Sequence, residues 1–179
     1  MFPSAETWGI VADIALIFGL PFGVMAFLLE RTKQRQVEQE EIYQRLSDEY
    51  TAFMRLVIEN SDLRLLRAPA PGADGSELTE EQLERRTAFF SILVALFERA
   101  YLLVYDDRMS KGTARLWHSW EDFMRDWCKR ADFRSSLPML LQGEDEEFAK
   151  HLARLAVLEA KSQGQKPPDL RGFGVGADG

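Results

Sequence analysis

The chain is poor in the residues from which most catalytic and metal sites are built. Of its 179 residues one is cysteine, Cys128, and two are histidine, His118 and His151. A single thiol excludes an intrachain disulfide, a multi-cysteine zinc site and a C-x-x-C redox pair, and it fits a reducing compartment. Neither histidine stands in an HExxH or a paired ExxH arrangement, so no transition-metal centre is expected. His118 is expected to be partly exposed beside Trp117 and Trp120, and His151 to lie on a solvated face of the last helix. Walker loops, Rossmann fingerprints, serine elbows and kinase signatures are all missing, and neither a cofactor nor a catalytic residue is expected. Basic charge is scarce as well. With 22 Lys and Arg against 29 Asp and Glu, the net charge is −7 and the pI about 5.0, which argues against a nucleic-acid surface.

Apolar residues, by contrast, are plentiful and unevenly placed. From Trp8 to Leu29 runs WGIVADIALIFGLPFGVMAFLL, whose only ionisable member is Asp13. Twenty-two residues at ~1.5 Å each span a hydrocarbon core of ~30 Å, so this segment reads as a transmembrane helix. A cleavable signal peptide would need a basic region before a shorter apolar stretch and a small-x-small site after it. The residues before Trp8 carry no Lys or Arg, whereas Arg31, Lys33 and Arg35 follow Leu29, an asymmetry that predicts an N-terminus outside and the rest inside. A second apolar run, Ala88 to Phe97, is only ten residues long and is followed at once by Glu98 and Arg99, so it is expected to be buried in a helical bundle.

Within the anchor, Ala12, Ala15, Gly19, Gly23 and Ala26 fall on one helical face, and Gly19 and Gly23 form a GxxxG pair. Small side chains let helix backbones approach closely in lipid. The face therefore predicts packing against a membrane-protein partner or self-association through the transmembrane helix. Asp13 lies ~7.5 Å inside Trp8 and reads as a hydrated carboxylate, with a polar contact to a partner's membrane helix as the alternative.

The charged stretch Glu30 to Glu41 has no helix breaker. Tyr43, Leu46, Tyr50, Phe53 and Val57 continue it at alternating spacings of 3 and 4, with Ile42, Met54 and Ile58 widening the stripe. A Pro- and Gly-rich loop, Ala68 to Glu77, ends this helix. Thr79 to Gln82 then forms a capping box, predicting a helix through the apolar block to about Val104. A third helix carries Leu116, Trp120, Phe123 and Trp127 on one face, with Trp117, Met124 and Cys128 beside it. Pro138 interrupts the following segment. After Gly143 a last helix displays Phe148, Leu152, Leu155 and Leu158. The remainder, from Ser162, is rich in Gly and Pro and reads as a flexible tail.

The tryptophans Trp117, Trp120 and Trp127 are expected in the core, because each buries a large apolar area; the alternative is an interaction surface. Cys128 reads as a packed thiol near a helix C-terminus. Glu144 to Glu147 lack the alternating ligand spacing of a calcium loop and instead complement the positive end of a helix dipole.

The segments Glu59 to Leu63, Phe97 to Leu103, Trp117 to Glu121 and Asp132 to Arg134, together with one membrane helix and a charged helical stem, resemble a broad group of uncharacterised bacterial single-pass membrane proteins. That resemblance implies a bacterial inner-membrane location and an all-α cytoplasmic domain, and it transfers no catalytic residue. The expected architecture is all-α. Residues 1–30 form the flank and transmembrane anchor, 31–161 a helical stem and cytoplasmic bundle of about four helices, and 162–179 the flexible tail. The expected function is that of a membrane-tethered, non-enzymatic interaction or adaptor protein with the lipid bilayer as one partner. An accessory subunit of a membrane complex, docked through Gly19 and Gly23, is the second reading. An enzyme with an unfamiliar site around His118, Glu121 and Asp122 is the third.

Overall fold

The computed structural model describes residues 40–66 and 78–174. The anchor, with Ala12, Asp13, Ala15, Gly19, Gly23 and Ala26, lies outside the described residues. The chain divides into two compact units, residues 1–45 and 46–179. Of the first, the described residues 40–45 are helical and Tyr43 is exposed.

Among the described residues five α-helices occur and no strand: α1 over 40–59, α2 Glu80–Val104, α3 Lys111–Cys128, α4 Ala131–Leu140 and α5 Glu146–Ser162, with short 3-10 turns at Ser61–Leu63 and Arg171–Phe173. The all-helical expectation holds, and the fifth helix is the addition. It is α4, read from sequence as a segment interrupted by Pro138. The proline falls in the last turn, where its missing N–H removes only one bond. Phe133, Leu137 and Leu140 on α4 are all buried, and this packing outweighs that loss.

In the second unit α1 buries Leu46, Phe53 and Val57. It lies antiparallel to α2, since Glu49 pairs with Arg99 near one end and Asp62, just past its other end, with Arg85 at 3.0 Å. The capping box forms as the sequence predicts: Gln82 donates its backbone N–H to Thr79 Oγ1 at 3.2 Å, and the Thr79 N–H is returned to Gln82 Oε1 at 3.0 Å.

The central element is α2, which packs against α3, α4, α5 and the 3-10 turn at Ser61–Leu63. Among the described residues it is the one helix long and apolar enough to cross a membrane. Its composition is that of a core helix: Phe90, Leu93, Val94, Phe97 and Ala100 are almost wholly buried, and Arg85, Arg86 and Arg99 are ion-paired with other elements of the unit.

The face that α5 turns inward is built largely from alanines. Ala149, Ala153, Ala156 and Ala160 are buried with Phe148, Leu152 and Leu155, whereas Leu158, expected in the stripe, is 44% exposed. Beyond α5, the segment expected to be a free tail makes contacts as far as it is described. Gln165 N–H bonds back to the Ala160 carbonyl at 2.9 Å, Gly164 takes a left-handed φ of +64°, and Leu170 is buried. The turn Arg171–Phe173 lies against α5.

Candidate functional site

The three tryptophans are core residues. Trp117 of α3 is 3% exposed, Trp120 8% and Trp127 7%, so their rings are turned away from any partner. Trp127 sits in a ring cluster with Phe53 of α1, Phe90 of α2 and Phe133 of α4, at centroid separations of 6.0, 6.1 and 6.0 Å. Trp120 and Phe123 meet Tyr50 edge-on at 6.4 and 4.9 Å. The alternative reading of these tryptophans as an interaction surface is therefore corrected: helical spacing placed them on one face, and that face is the inner one.

The trio His118, Glu121 and Asp122 is not an enclosed site. His118 is largely exposed with its Nδ1 3.9 Å from Glu121, and Asp122 faces solvent. Glu121 instead turns toward α5, where its Oε1 lies 3.7 Å from His151 Nε2. His151 is not on a solvated face. Its ring lies 5.4 Å from that of Trp117, 5.5 Å from Tyr101 and 6.2 Å from Tyr105. Its Nε2 is buried without a hydrogen-bond partner among the described residues. Burial lowers the imidazole pKa, partly offset by the Glu121 carboxylate, and raises those of Tyr101 and Tyr105. The imidazole is thus packed against three aromatic rings, with one nitrogen unpaired among the described residues.

A second polar group joins α2 to the start of α5. Asp145 donates its backbone N–H to Glu98 Oε1 at 2.6 Å and caps α5 itself, accepting from Glu147 and Phe148 N–H at 3.1 and 3.0 Å. The Glu144 carboxyl hydrogen-bonds Glu98 as well. Burial, then that hydrogen bond and the Glu98 charge, push Glu144 up to about 7, so its carboxyl holds a proton well above the ordinary carboxylate range. Glu144 borders an open cavity of about 380 Å³ that is also lined by Leu141, Ala149, Lys150 and Phe173. Lys150 there is bound to Glu146 at 2.7 Å and Glu147 at 3.0 Å. The acidic run therefore does what its place at a helix N-terminus requires, with one member diverted to α2. No group of three or more His, Cys, Asp or Glu among the described residues could hold a metal ion. Cys128 is fully buried, and burial raises its thiol pKa far above the ordinary range, which makes it inert as a nucleophile.

Two arginines that the sequence reading gave no role are buried at the centre of the polar structure. Arg130 holds the Asp132 carboxylate through two bonds of 3.1 and 2.7 Å and donates to the carbonyls of Leu65 and Arg64 at 3.0 and 3.3 Å. Arg64 has a left-handed φ of +54°, and Arg130 anchors the turn that contains it. Arg86 of α2 reaches the same carboxylate at 3.2 Å. Arg134 donates to the Cys128 carbonyl at 2.6 Å and to Gln163 and Gln165, tying the segment after α5 to α4. The only sequence signal was the local density of charge in Arg130-Ala131-Asp132-Phe133-Arg134, which reads equally well as a solvated turn.

The outer face of α2 lies at the surface. Between Glu84 and Arg99 its exposed positions are Ala88, Ser91, Ile92 and Ala95, with no charge among them, and Leu102 and Leu103 continue the exposed apolar surface beyond Arg99. Ile92 is 46% exposed. An exposed helix face without charge favours a partner over water. Comparison of the chain with protein-family models, with curated proteins and with solved structures gives no match.

Proposed function

We propose that the protein is a membrane-tethered, non-enzymatic interaction module. It spans the bacterial inner membrane once through Trp8 to Leu29, with its N-terminus outside and its helical unit in the cytoplasm. The observation that carries the interaction reading is the charge-free outer face of α2, because a core helix whose solvent side carries Ala, Ser and Ile is better suited to a partner than to water. The tether rests on the apolar length of the anchor and on basic residues following it alone. The buried His151 and Cys128, and the exposed His118, support a structural rather than a catalytic use of these side chains.

Fusion of a reporter active only in the cytoplasm after Lys161 should give signal, and one active only outside should not. The reverse result ends this topology. Affinity purification in mild detergent tests the interaction reading, and a protein recovered without partner or second copy argues against it. If a membrane partner is recovered and Gly19→Ile abolishes it, the small-residue face of the anchor makes the protein an accessory subunit.

A further inference from the structure

We propose that the outer face of α2 is a two-fold self-association interface in which the α2 helices of two copies pair antiparallel about an axis between Ser91 and Ile92. The inference rests on the interaction-module reading and names the partner as a second copy of this chain. At 1.5 Å per residue, Glu84 and Arg99 stand ~22 Å apart along α2, at opposite ends of the charge-free stretch. Ala88, Ser91, Ile92 and Ala95 between them share one side of the helix with both charges, and all six residues are exposed.

A face with an acid at one end, a base at the other and small apolar residues between is complementary to its own copy turned end for end. An axis between Ser91 and Ile92 brings Glu84 of each copy opposite Arg99 of the other and Ala88 opposite Ala95. It sets Ile92 over Ser91, where the small side chain leaves room for it. Parallel pairing would instead set Glu84 against Glu84 and Arg99 against Arg99. Glu84 has no ion-pair partner among the described residues, and Arg99 meets only Glu49 on α1 while remaining about half exposed, so both ends are available. The closed two-fold arrangement uses the face once per copy and leaves nothing for a third.

The test uses full-length protein in native membranes. Ser91→Cys places a thiol beside the axis, Ser119→Cys places one on the exposed surface of α3, and the native Cys128 is fully buried. Oxidation should link Ser91→Cys into a dimer and leave Ser119→Cys monomeric. Adding Glu84→Arg or Arg99→Glu to Ser91→Cys should each reduce the linked fraction about fivefold to tenfold, because two like-charge encounters replace two pairs. Co-expression of the two charge variants should restore it, since each copy then meets its opposite; a variant that merely misfolded would not be rescued.

Equal linking at Ser91 and Ser119, which contact through the anchor alone would give, overturns the proposal. So does a Ser91→Cys dimer insensitive to both charge changes, or linkage of Ser91→Cys to a different protein. Alkaline extraction of the same membranes reads the tether separately. Anchored protein without the cross-link sinks the pairing alone, and extractable protein sinks the tether alone.

Discussion

Glu98 on α2 accepts the backbone N–H of Asp145 at 2.6 Å, so a side chain of the central helix satisfies a donor at the very start of α5. The same carboxylate hydrogen-bonds Glu144, the residue before that cap. A local feature, the N-terminus of a helix, is thereby joined to the core through the Glu98 side chain.

This arrangement makes stability depend on pH near neutrality. Glu144 is raised from its ordinary value of 4.5 to about 7, so between those values the folded chain holds a proton that the unfolded chain has released. The contribution is present in full below about pH 4.5 and is lost as pH rises through 7. Melting temperature should decline over that interval. Glu144→Gln, which keeps a donor to Glu98, should flatten the decline and melt higher than the parent at pH 8. A variant with the parent's pH profile would show that Glu144 is not the titrating group.

His151 acts in the opposite direction. Burial depresses its pKa, so as pH falls below 6.5 the unfolded chain takes up a proton that the folded chain resists. Its contribution is present above 6.5 and is lost toward acid. His151→Phe retains an aromatic ring against Trp117, Tyr101 and Tyr105 and removes the unpaired Nε2. We expect a shallower loss of stability between pH 6.5 and 5, read by thermal melting, and an unchanged slope there would assign the acid sensitivity elsewhere.

Trp127 touches rings from α1, α2 and α4 at once, and the Arg130 guanidinium lies 5.6 Å from its ring centroid. Trp127→Ala should destabilise the unit by ~3–5 kcal/mol in denaturant titration, the range for truncating a buried aromatic. A variant that kept its midpoint would contradict the packing described.

Arg134 should be required for the docking of the segment after α5. Arg134→Met keeps the aliphatic stem but leaves the Cys128 carbonyl and the Gln163 and Gln165 side chains without their donor, a loss of ~2–3 kcal/mol. Hydrogen exchange over residues 165–173 should quicken more than exchange in α2. Equal protection in variant and parent would show that Leu170 alone secures the segment.

Some of this was legible in the residues themselves. The capping box at Thr79 and Gln82 is a four-residue pattern whose partners are local, and α2 starts where it says. The periodicities of α1, α3 and α5 fixed which residues share a face, because helical spacing is a local property. The run AFFSILVALF was expected to be buried, and Phe89, Phe90, Leu93, Val94, Leu96 and Phe97 are, whereas Ala88, Ser91, Ile92 and Ala95 form the exposed side of α2.

Which face turns inward, and what polar groups do there, only the tertiary structure decided. Spacing groups Phe148, Leu152, Leu155 and Leu158, yet Leu158 is exposed while four alanines are buried, since close approach to α3 and α2 selects small side chains. His151 looked solvated because its burial comes from Tyr101, Tyr105 and Trp117, far away in sequence. Arg134 and Leu170 looked like parts of a turn and a tail because their hydrogen bonds and their cover exist only once α4 and α5 have met. Local sequence sets helices and their faces through interactions within a few residues. The choice among faces, and the pairing of buried charges, depends on contacts between residues remote along the chain, which no local pattern encodes.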